Sequence, residues 1–383
     1  MNLKTIIKAE AKNLGFSLTG VTTPDVPDHF SFFEKWLMNG YHADQEYLSR
    51  EDLFAKRGNP CMLMPDCKSI ICLAFPYPIV NTSIESGPYG QVAAYATIPD
   101  YHEEIPHRIA EFMARVQSGL DVPVKYQAFT DSAPILERDL AYRAGLGWIG
   151  KNGCLIHPDH GSYFLLAEVM VDIKLEPDSP FAFDRCGTCN RCVEACPTQC
   201  ILPNRMIDSG RCISYLTIEK KGEIPKGLRN KIGNWVFGCD ICQMVCPWNS
   251  RPGVDLSETS GIGNKPVINL NDELLLSEFE FKIKYQSSPI LRAKYKGYLR
   301  NIAIAIGNAG NQTAVPLLVR QMSEHKEPLV RAACAWALGE IGEESSVMSL
   351  ISCLEQEDDV NVQVEIQFAL DHLHKIHNKN HNL

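Results

Sequence analysis

The sequence predicts a multi-domain α/β protein on three observations: an N-terminal region mixing an amphipathic helix with short buried strands, two cysteine runs in the middle, and an internal helical repeat near the end. These divide the 383 residues into an α/β domain over 1–175, a cysteine-rich module over 176–255, and a linker with helical repeats over 256–383. The length is ample for more than one hydrophobic core. A net charge of −9 argues against general coating of nucleic acid while leaving room for a local basic face.

The opening residues Leu3, Ile6, Ile7, Ala11 and Leu14 recur at helical spacing, and Gly15 ends the pattern as a C-terminal glycine does. Lys4, Lys8, Glu10 and Lys12 occupy places where an export signal needs apolar residues. The longest apolar stretch, near Ser69 to Val80, is interrupted by Pro76 and Pro78 and falls short of the ~20 residues of a membrane span. A cytoplasmic protein with reduced thiols is therefore expected, with no membrane association. Arg57, in the polar segment RGNPCMLMPDCK, reads from composition as a solvated surface charge. SIICLAF, from Ser69, is short, rich in β-branched residues and bounded by prolines, which predicts a buried strand.

DYHEEI, at Asp100 to Ile105, superficially resembles the DxHxxG element that gives some corrinoid enzymes a histidine ligand to cobalt. Ile105 stands where that element has glycine, so His102 is set aside as a ligand and Asp100 is read as a helix N-cap. In FTDSAPILER, Asp131 or Ser132 is placed to cap a helix whose first turns hold Pro134 and Glu137. GLGWIG, at Gly145 to Gly150, matches the dinucleotide fingerprint formally, yet a helix precedes it and strand-like segments follow, the reverse of a true fingerprint. Its glycines then mark a tight turn where backbone comes close to something, a bulky cofactor being one candidate.

The cysteine runs carry the most specific chemistry. CGTCNRCVEACP contains Cys186, Cys189, Cys192 and Cys196 before Pro197, and CDICQMVCP contains Cys239, Cys242 and Cys246 before Pro247. Such spacing suits [4Fe–4S] clusters in a ferredoxin-like module, where the fourth cysteine of each run ligates the other cluster. One cluster would take Cys186, Cys189, Cys192 and Cys246. The second would take Cys196, Cys239 and Cys242, with Cys212 of GRCISYL as the fourth ligand. Zinc also favours four cysteines, but normally as two separated CxxC pairs. The remaining cysteines, Cys61, Cys67, Cys72, Cys154, Cys200, Cys334 and Cys353, sit mostly among apolar residues and read as core.

Two segments, Asp172 to Arg185 and Asn249 to Asn271, read as linkers. Beyond them Ala303, Ala305, Gly307, Gly310, Val315 and Leu318 align with Ala335, Ala337, Gly339, Gly342, Val347 and Leu350: a helix, a GxxG turn and a second helix, as in HEAT-type solenoids. Just before this repeat, Phe281 to Arg300 holds Lys282, Lys284, Arg292, Lys294, Lys296 and Arg300 with Tyr285, Tyr295 and Tyr298 and no acid. That stretch reads either as a nucleic-acid contact face or as a solvated helix face.

The segments DSAPILERDLAYRAGLGWIGKN, RCGTCNRCVEACPT, RCISYLT and GNWVFGCDICQMVCPWN, with Cys212 and the terminal repeats, together resemble the epoxyqueuosine reductase family over nearly the whole chain. The resemblance implies a nitroreductase-like α/β domain that holds cobalamin base-off, with no histidine ligand to cobalt, and two [4Fe–4S] clusters that feed it electrons from an external low-potential donor. It implies reduction of the epoxide of epoxyqueuosine to the alkene, in a tRNA with a GUN anticodon, as the last step of queuosine synthesis. Asp131 matches the family's proton donor, Arg57 its cobalamin-contacting arginine, and Leu155, Ile156 and His157 a stretch whose backbone nears the corrin. One member has a cysteine near cobalt in the segment matching Val92 to Tyr95, where this chain has none. The alternatives are a related reductive dehalogenase, a non-enzymatic iron–sulfur electron-transfer adaptor, and an RNA-binding protein with structural clusters. A monomer is expected.

Overall fold

The computed structural model describes residues 3–78, 87–118, 120, 123–250 and 267–380. Its strands, in chain order, are β1 (Leu18–Thr22), β2 (Ser69–Pro76), β3 (Tyr89–Val92), β4 (Tyr126–Phe129), β5 (Trp148–Ile149), β6 (Leu155–Ile156), β7 (Phe164–Val171), β8 (Trp235–Phe237) and β9 (Val267–Asn269). Most of the second expected linker, 251–266, lies outside the described residues. Compactness divides the chain differently from three consecutive segments. One unit comprises Met1–Ile79, Ile98–Gly210 and Asp240–Gly263, the other Val80–Thr97, Arg211–Cys239 and Asn264–Leu383.

In the first unit β1, β2, β7 and β4 form an antiparallel sheet in that order. The SIICLAF run is β2, flanked on both sides and buried along almost its whole length, which is why it lacks polar alternation. The short helix Glu137–Arg143 packs Leu140 and Ala141 into a core with Ile70, Cys72, Leu155 and Met170. β5 and β6 form a hairpin, Trp148 opposite Ile156 and Ile149 opposite Leu155. Two glycines of GLGWIG, Gly147 and Gly150, serve that hairpin, while Gly145 lies against the backbone of Ser179. A Cβ on Gly147 would stand 2.2 Å from the carbonyl oxygen of Ile156, so the close approach anticipated there is protein against protein.

In the second unit β3 pairs in parallel with β8 and antiparallel with β9. The repeat forms the helices Lys294–Ala309, Val315–Glu324, Pro328–Ile341, Ser346–Gln356 and Val360–Asn380. Its GxxG element divides into two roles. Gly310 and Gly342 end their helices in the left-handed region, at φ 61° and 77°, as glycine C-caps do. Gly307 and Gly339 lie inside the helices, where a Cβ would come within 2.9 Å of Ala337 and Ala369 on the next helix but one. Arg229, on the short helix Lys226–Ile232 just before β8, is tied to buried Glu365 by two hydrogen bonds of 2.9 and 3.2 Å.

Candidate active site and cluster-binding residues

Asp131 follows β4 and precedes the helix Glu137–Arg143, whose N-cap is Leu136 with no capping side chain. The capping role expected for Asp131 or Ser132 is therefore absent. Asp131 instead adopts φ 57°, a left-handed conformation that Asp tolerates better than most residues. Its backbone N–H donates to Glu137 Oε1 at 2.6 Å. The side chain, 52% exposed, accepts a hydrogen bond from the Tyr101 hydroxyl at 2.9 Å and lies 3.4 Å from His102 Nε2. Asp100 does cap its helix: its carboxylate accepts the His102 backbone N–H at 3.0 Å, and also meets His102 Nδ1 at 2.7 Å. The two carboxylates, Asp131 first, raise His102 against the opposing effect of burial.

A carboxyl donates a proton at neutral pH only where its surroundings, burial above all, hold it protonated. That property belongs here to two neighbours. Glu137 is pushed up to about 7 by burial and then by the charge of Asp131. Glu168, on β7, is fully buried; neither of its carboxyl oxygens has a hydrogen-bond partner among the described residues, and burial raises it well above the usual range. Because Glu137 is raised from 4.5 to about 7, the folded state binds more protons than the unfolded one across that window, and stability falls as pH rises through it. Glu137→Gln keeps the acceptor for Asp131 N–H. Its Tm advantage over wild type should therefore widen from pH 4.5 to about 7 and stay level above. Thermal denaturation at a series of pH values checks this, and a margin independent of pH would mean that Glu137 ionises freely.

Arg57 ends the helix Glu51–Gly58 and is 6% exposed, contrary to the solvated charge read from composition. Its guanidinium donates to Leu53 O at 3.2 Å and lies 5.7 Å from the Phe33 ring centroid, with no carboxylate paired to it among the described residues. A buried cation with donors to spare suits the amide and phosphate oxygens of a large polar ligand. Along β6 the side chains diverge: Leu155 enters the sheet core, while Ile156 packs with Trp148 and Cys246. His157 is lowered to about 4 by burial and then by His160, so its imidazole is neutral, with Nδ1 accepting the Asp159 N–H at 3.1 Å.

Cys186, Cys189, Cys192 and Cys246, the four expected ligands of the first cluster, line one cleft in the first unit, together with Ile156 and Trp248. Trp148 Nε1–H donates to Cys186 Sγ at 3.4 Å and its ring meets Trp248 edge-on at 5.1 Å, walling the cleft with indoles. Among the described residues no three acidic, histidine or cysteine side chains converge on a single-ion site. The other four expected ligands are divided, Cys196 and Cys242 in the first unit, Cys212 and Cys239 in the second. Cys200, read as a core residue, brings its sulfur to 3.5 Å from Cys196, whose other partner is the Thr198 hydroxyl at 3.5 Å. Cys200 first, then Thr198, lower Cys196 to about 4, which keeps it the thiolate a metal needs. The spacing CPTQC was the one sequence signal for that role.

The basic stretch needs a correction. Arg300 is 2% exposed, and its guanidinium donates to the carbonyls of Leu216, Lys220 and Gly222 and to Asn301 Oδ1. It fastens the helix to a loop and offers nothing to a phosphate. Tyr285 and Tyr298 are buried around Glu273 and do not present rings for stacking. Lys282 pairs with Glu278, Lys284 with Glu273, and Arg292 with Glu219. Lys294 and Lys296 are exposed.

Among the described residues no helix is long and apolar enough to cross a membrane. Three family models match the chain: "Epoxyqueuosine reductase QueG, DUF1730" over residues 57–132, "4Fe-4S double cluster binding domain" over 185–249, and "HEAT repeats" over 289–371. Epoxyqueuosine reductase of Pseudomonas aeruginosa is 38% identical over 345 residues, covering 88% of this chain and 94% of that protein. The crystal structure of an epoxyqueuosine reductase with a tRNA-Tyr epoxyqueuosine-modified tRNA stem loop is similar at 31% identity and a TM-score of 0.88, covering 97% of this chain and 98% of that one. The Bacillus subtilis enzyme, in a structure with its catalytic loop swung out of the active site, has 30% identity, the same TM-score and the same coverage. With relatives this similar along most of its length, the chain belongs to the epoxyqueuosine reductase family.

Proposed function

We propose that this chain reduces the epoxide of epoxyqueuosine to the alkene of queuosine, within the anticodon loop of a tRNA with a GUN anticodon. The observation that carries the reading is Asp131. It stands five residues before Leu136, the N-cap of the following helix, is set at a left-handed turn, and presents a half-exposed carboxyl group with Tyr101 and His102 beside it, in a chain of the epoxyqueuosine reductase family. The family relation favours this over an organohalide reductase or an electron-shuttling adaptor.

Removing the epoxide oxygen as water consumes two electrons and two protons. Asp131 gives a proton to the oxygen as its bond to carbon breaks; a substrate seated against that carboxyl excludes water and raises its affinity for the proton. We assign one [4Fe–4S] cluster to Cys186, Cys189, Cys192 and Cys246, and the second to Cys196, Cys212, Cys239 and Cys242. Arg57, with the backbone at Leu155, Ile156 and His157, would hold cobalamin, base-off and without a histidine ligand. Cobalamin, when bound there, would supply low-potential reducing chemistry. An external one-electron donor of low potential loads the clusters, and the enzyme works as a cytoplasmic monomer. The modified base must be splayed from its loop to reach a buried site. Lys294 and Lys296, with Lys282, Lys284 and Arg292 in support, contact the tRNA phosphates.

The test is conversion. Chain produced anaerobically with cobalamin, given a low-potential chemical reductant and epoxyqueuosine-containing tRNA, should yield queuosine on nucleoside analysis. No queuosine from protein carrying both iron and cobalt would overturn the reading. In the same assay Lys294→Glu with Lys296→Glu should weaken tRNA binding and flatten its salt dependence; unchanged binding removes these two from the interface.

A further inference from the structure

The DYH segment was set aside as a cobalt-binding element and the reaction above leaves it without a part. Yet the structure places it at the proton donor. His102 stands between two carboxylates, Nδ1 at 2.7 Å from Asp100 and Nε2 at 3.4 Å from Asp131, on the same Oδ2 that accepts the Tyr101 hydroxyl. The Tyr101 ring stacks on the imidazole, centroids 4.1 Å apart, and fixes its plane. Asp100 is itself held, because its carboxylate accepts the backbone N–H of His102 at the start of the helix. The imidazole is therefore aimed by a fixed carboxylate on one side at a reacting carboxyl on the other.

A single carboxyl carries a single proton, while the reaction uses two. We propose that His102 acts through Asp131 as the source of the second proton, passing it from Nε2 to the Asp131 carboxylate between the two C–O bond cleavages. This rests on the epoxide-reducing function proposed above. One C–O bond breaks as two electrons, supplied one at a time by the external low-potential donor, are left on that carbon, where they later form the alkene, and the freed oxygen takes the Asp131 proton to become a hydroxyl. Imidazolium Nε2–H then protonates the Asp131 carboxylate, and Asp131 gives that proton to the hydroxyl, which leaves as water as the alkene forms. Neutral His102, keeping its Nδ1–H toward Asp100, is recharged from solvent, to which its half-buried ring has access. His102 does not touch substrate in this scheme; it is a positioning and proton-supplying residue.

The groups that set its charge are Asp100 and Asp131, with Glu137 acting on the same cluster. Both carboxylates favour imidazolium, so His102 keeps its proton to higher pH than an ordinary histidine and loses it as pH rises through the raised value.

Two measurements test this. Histidine side-chain NMR titration of the full chain, clusters oxidised and no substrate present, should show His102 titrating above an ordinary histidine in wild type and dropping in both Asp131→Asn and Asp100→Asn. In turnover of epoxyqueuosine-tRNA, His102→Gln should be slower by about 10²-fold, should lose the alkaline limb of the wild-type pH profile, and His102→Ala should regain rate on addition of imidazole. His102→Gln at the wild-type rate with the wild-type pH profile would overturn the proposal and leave the proposed function standing, as would a His102 titration indifferent to Asp131→Asn. A wild-type enzyme that forms no queuosine would overturn both. Should the His102 variants fail to fold, the titrations of the two aspartate variants decide alone.

Discussion

Asp131→Asn should lower turnover by about 10²–10⁴-fold while iron content, cobalt content and tRNA affinity stay at wild-type values. The substitution separates proton donation from every other duty of the residue. Asn is the side chain that best tolerates the left-handed φ of 57° found here. The backbone N–H to Glu137 is untouched, and the amide oxygen still accepts from Tyr101. What disappears is the exchangeable carboxyl proton, together with the charge that raises His102 and Glu137. Single-turnover rates under saturating tRNA check the chemical step without interference from product release. A loss of only a few-fold would mean that another group protonates the oxygen, and Glu137, which titrates near neutrality and sits behind the same turn, would be the first to examine.

How far this site is legible in the sequence depends on how local its chemistry is. The cysteine runs are largely local: three thiolates for a cube come from one tight loop, so spacing singles out Cys186, Cys189 and Cys192, the exchange of fourth ligands between paired runs adds Cys246, and the fold gathers all four at one cleft. The repeats are equally local, because helical periodicity and glycine C-caps recur along the chain. Asp131 is ambiguous, since Asp, Ser, Pro and Glu at those spacings are also good N-cap chemistry. Only the backbone path, with Leu136 at the cap position, separates the two. The contact of His102 with Asp131 has no local signal, because the two residues lie on different elements of the fold.

Where a residue's environment comes from distant segments, composition misleads. Arg300 looks like part of a basic face, but the carbonyls that bury it belong to residues 216, 220 and 222. Arg57 looks solvated and is buried against Phe33. Glu168 occupies a strand that reads as apolar, and no periodicity announces a carboxyl buried there beside Glu137.

Cys246→Ala should reduce bound iron from about eight to about four per chain and abolish reduction of the epoxide. The expectation follows from the exchange of fourth ligands between the two runs. Cys246 belongs in sequence with Cys239 and Cys242, but it lines the cleft of Cys186, Cys189 and Cys192 and packs against Ile156 and Trp148 at 8% exposure. Removing its thiolate leaves that cube with three protein ligands in a cleft walled by indoles, where water is a poor substitute and burial disfavours any uncompensated charge. Alanine is the informative replacement because serine can still offer an oxygen. Cys200→Ala is the matched control. Its sulfur touches Cys196 yet lies outside the proposed ligand sets, so iron should stay near eight while Cys196 loses the neighbour that most favours its thiolate. Iron analysis and low-temperature EPR of the dithionite-reduced proteins distinguish the cases. Full iron in Cys246→Ala would break the ligand exchange between the runs, and equal iron loss in Cys200→Ala would place Cys200 among the ligands.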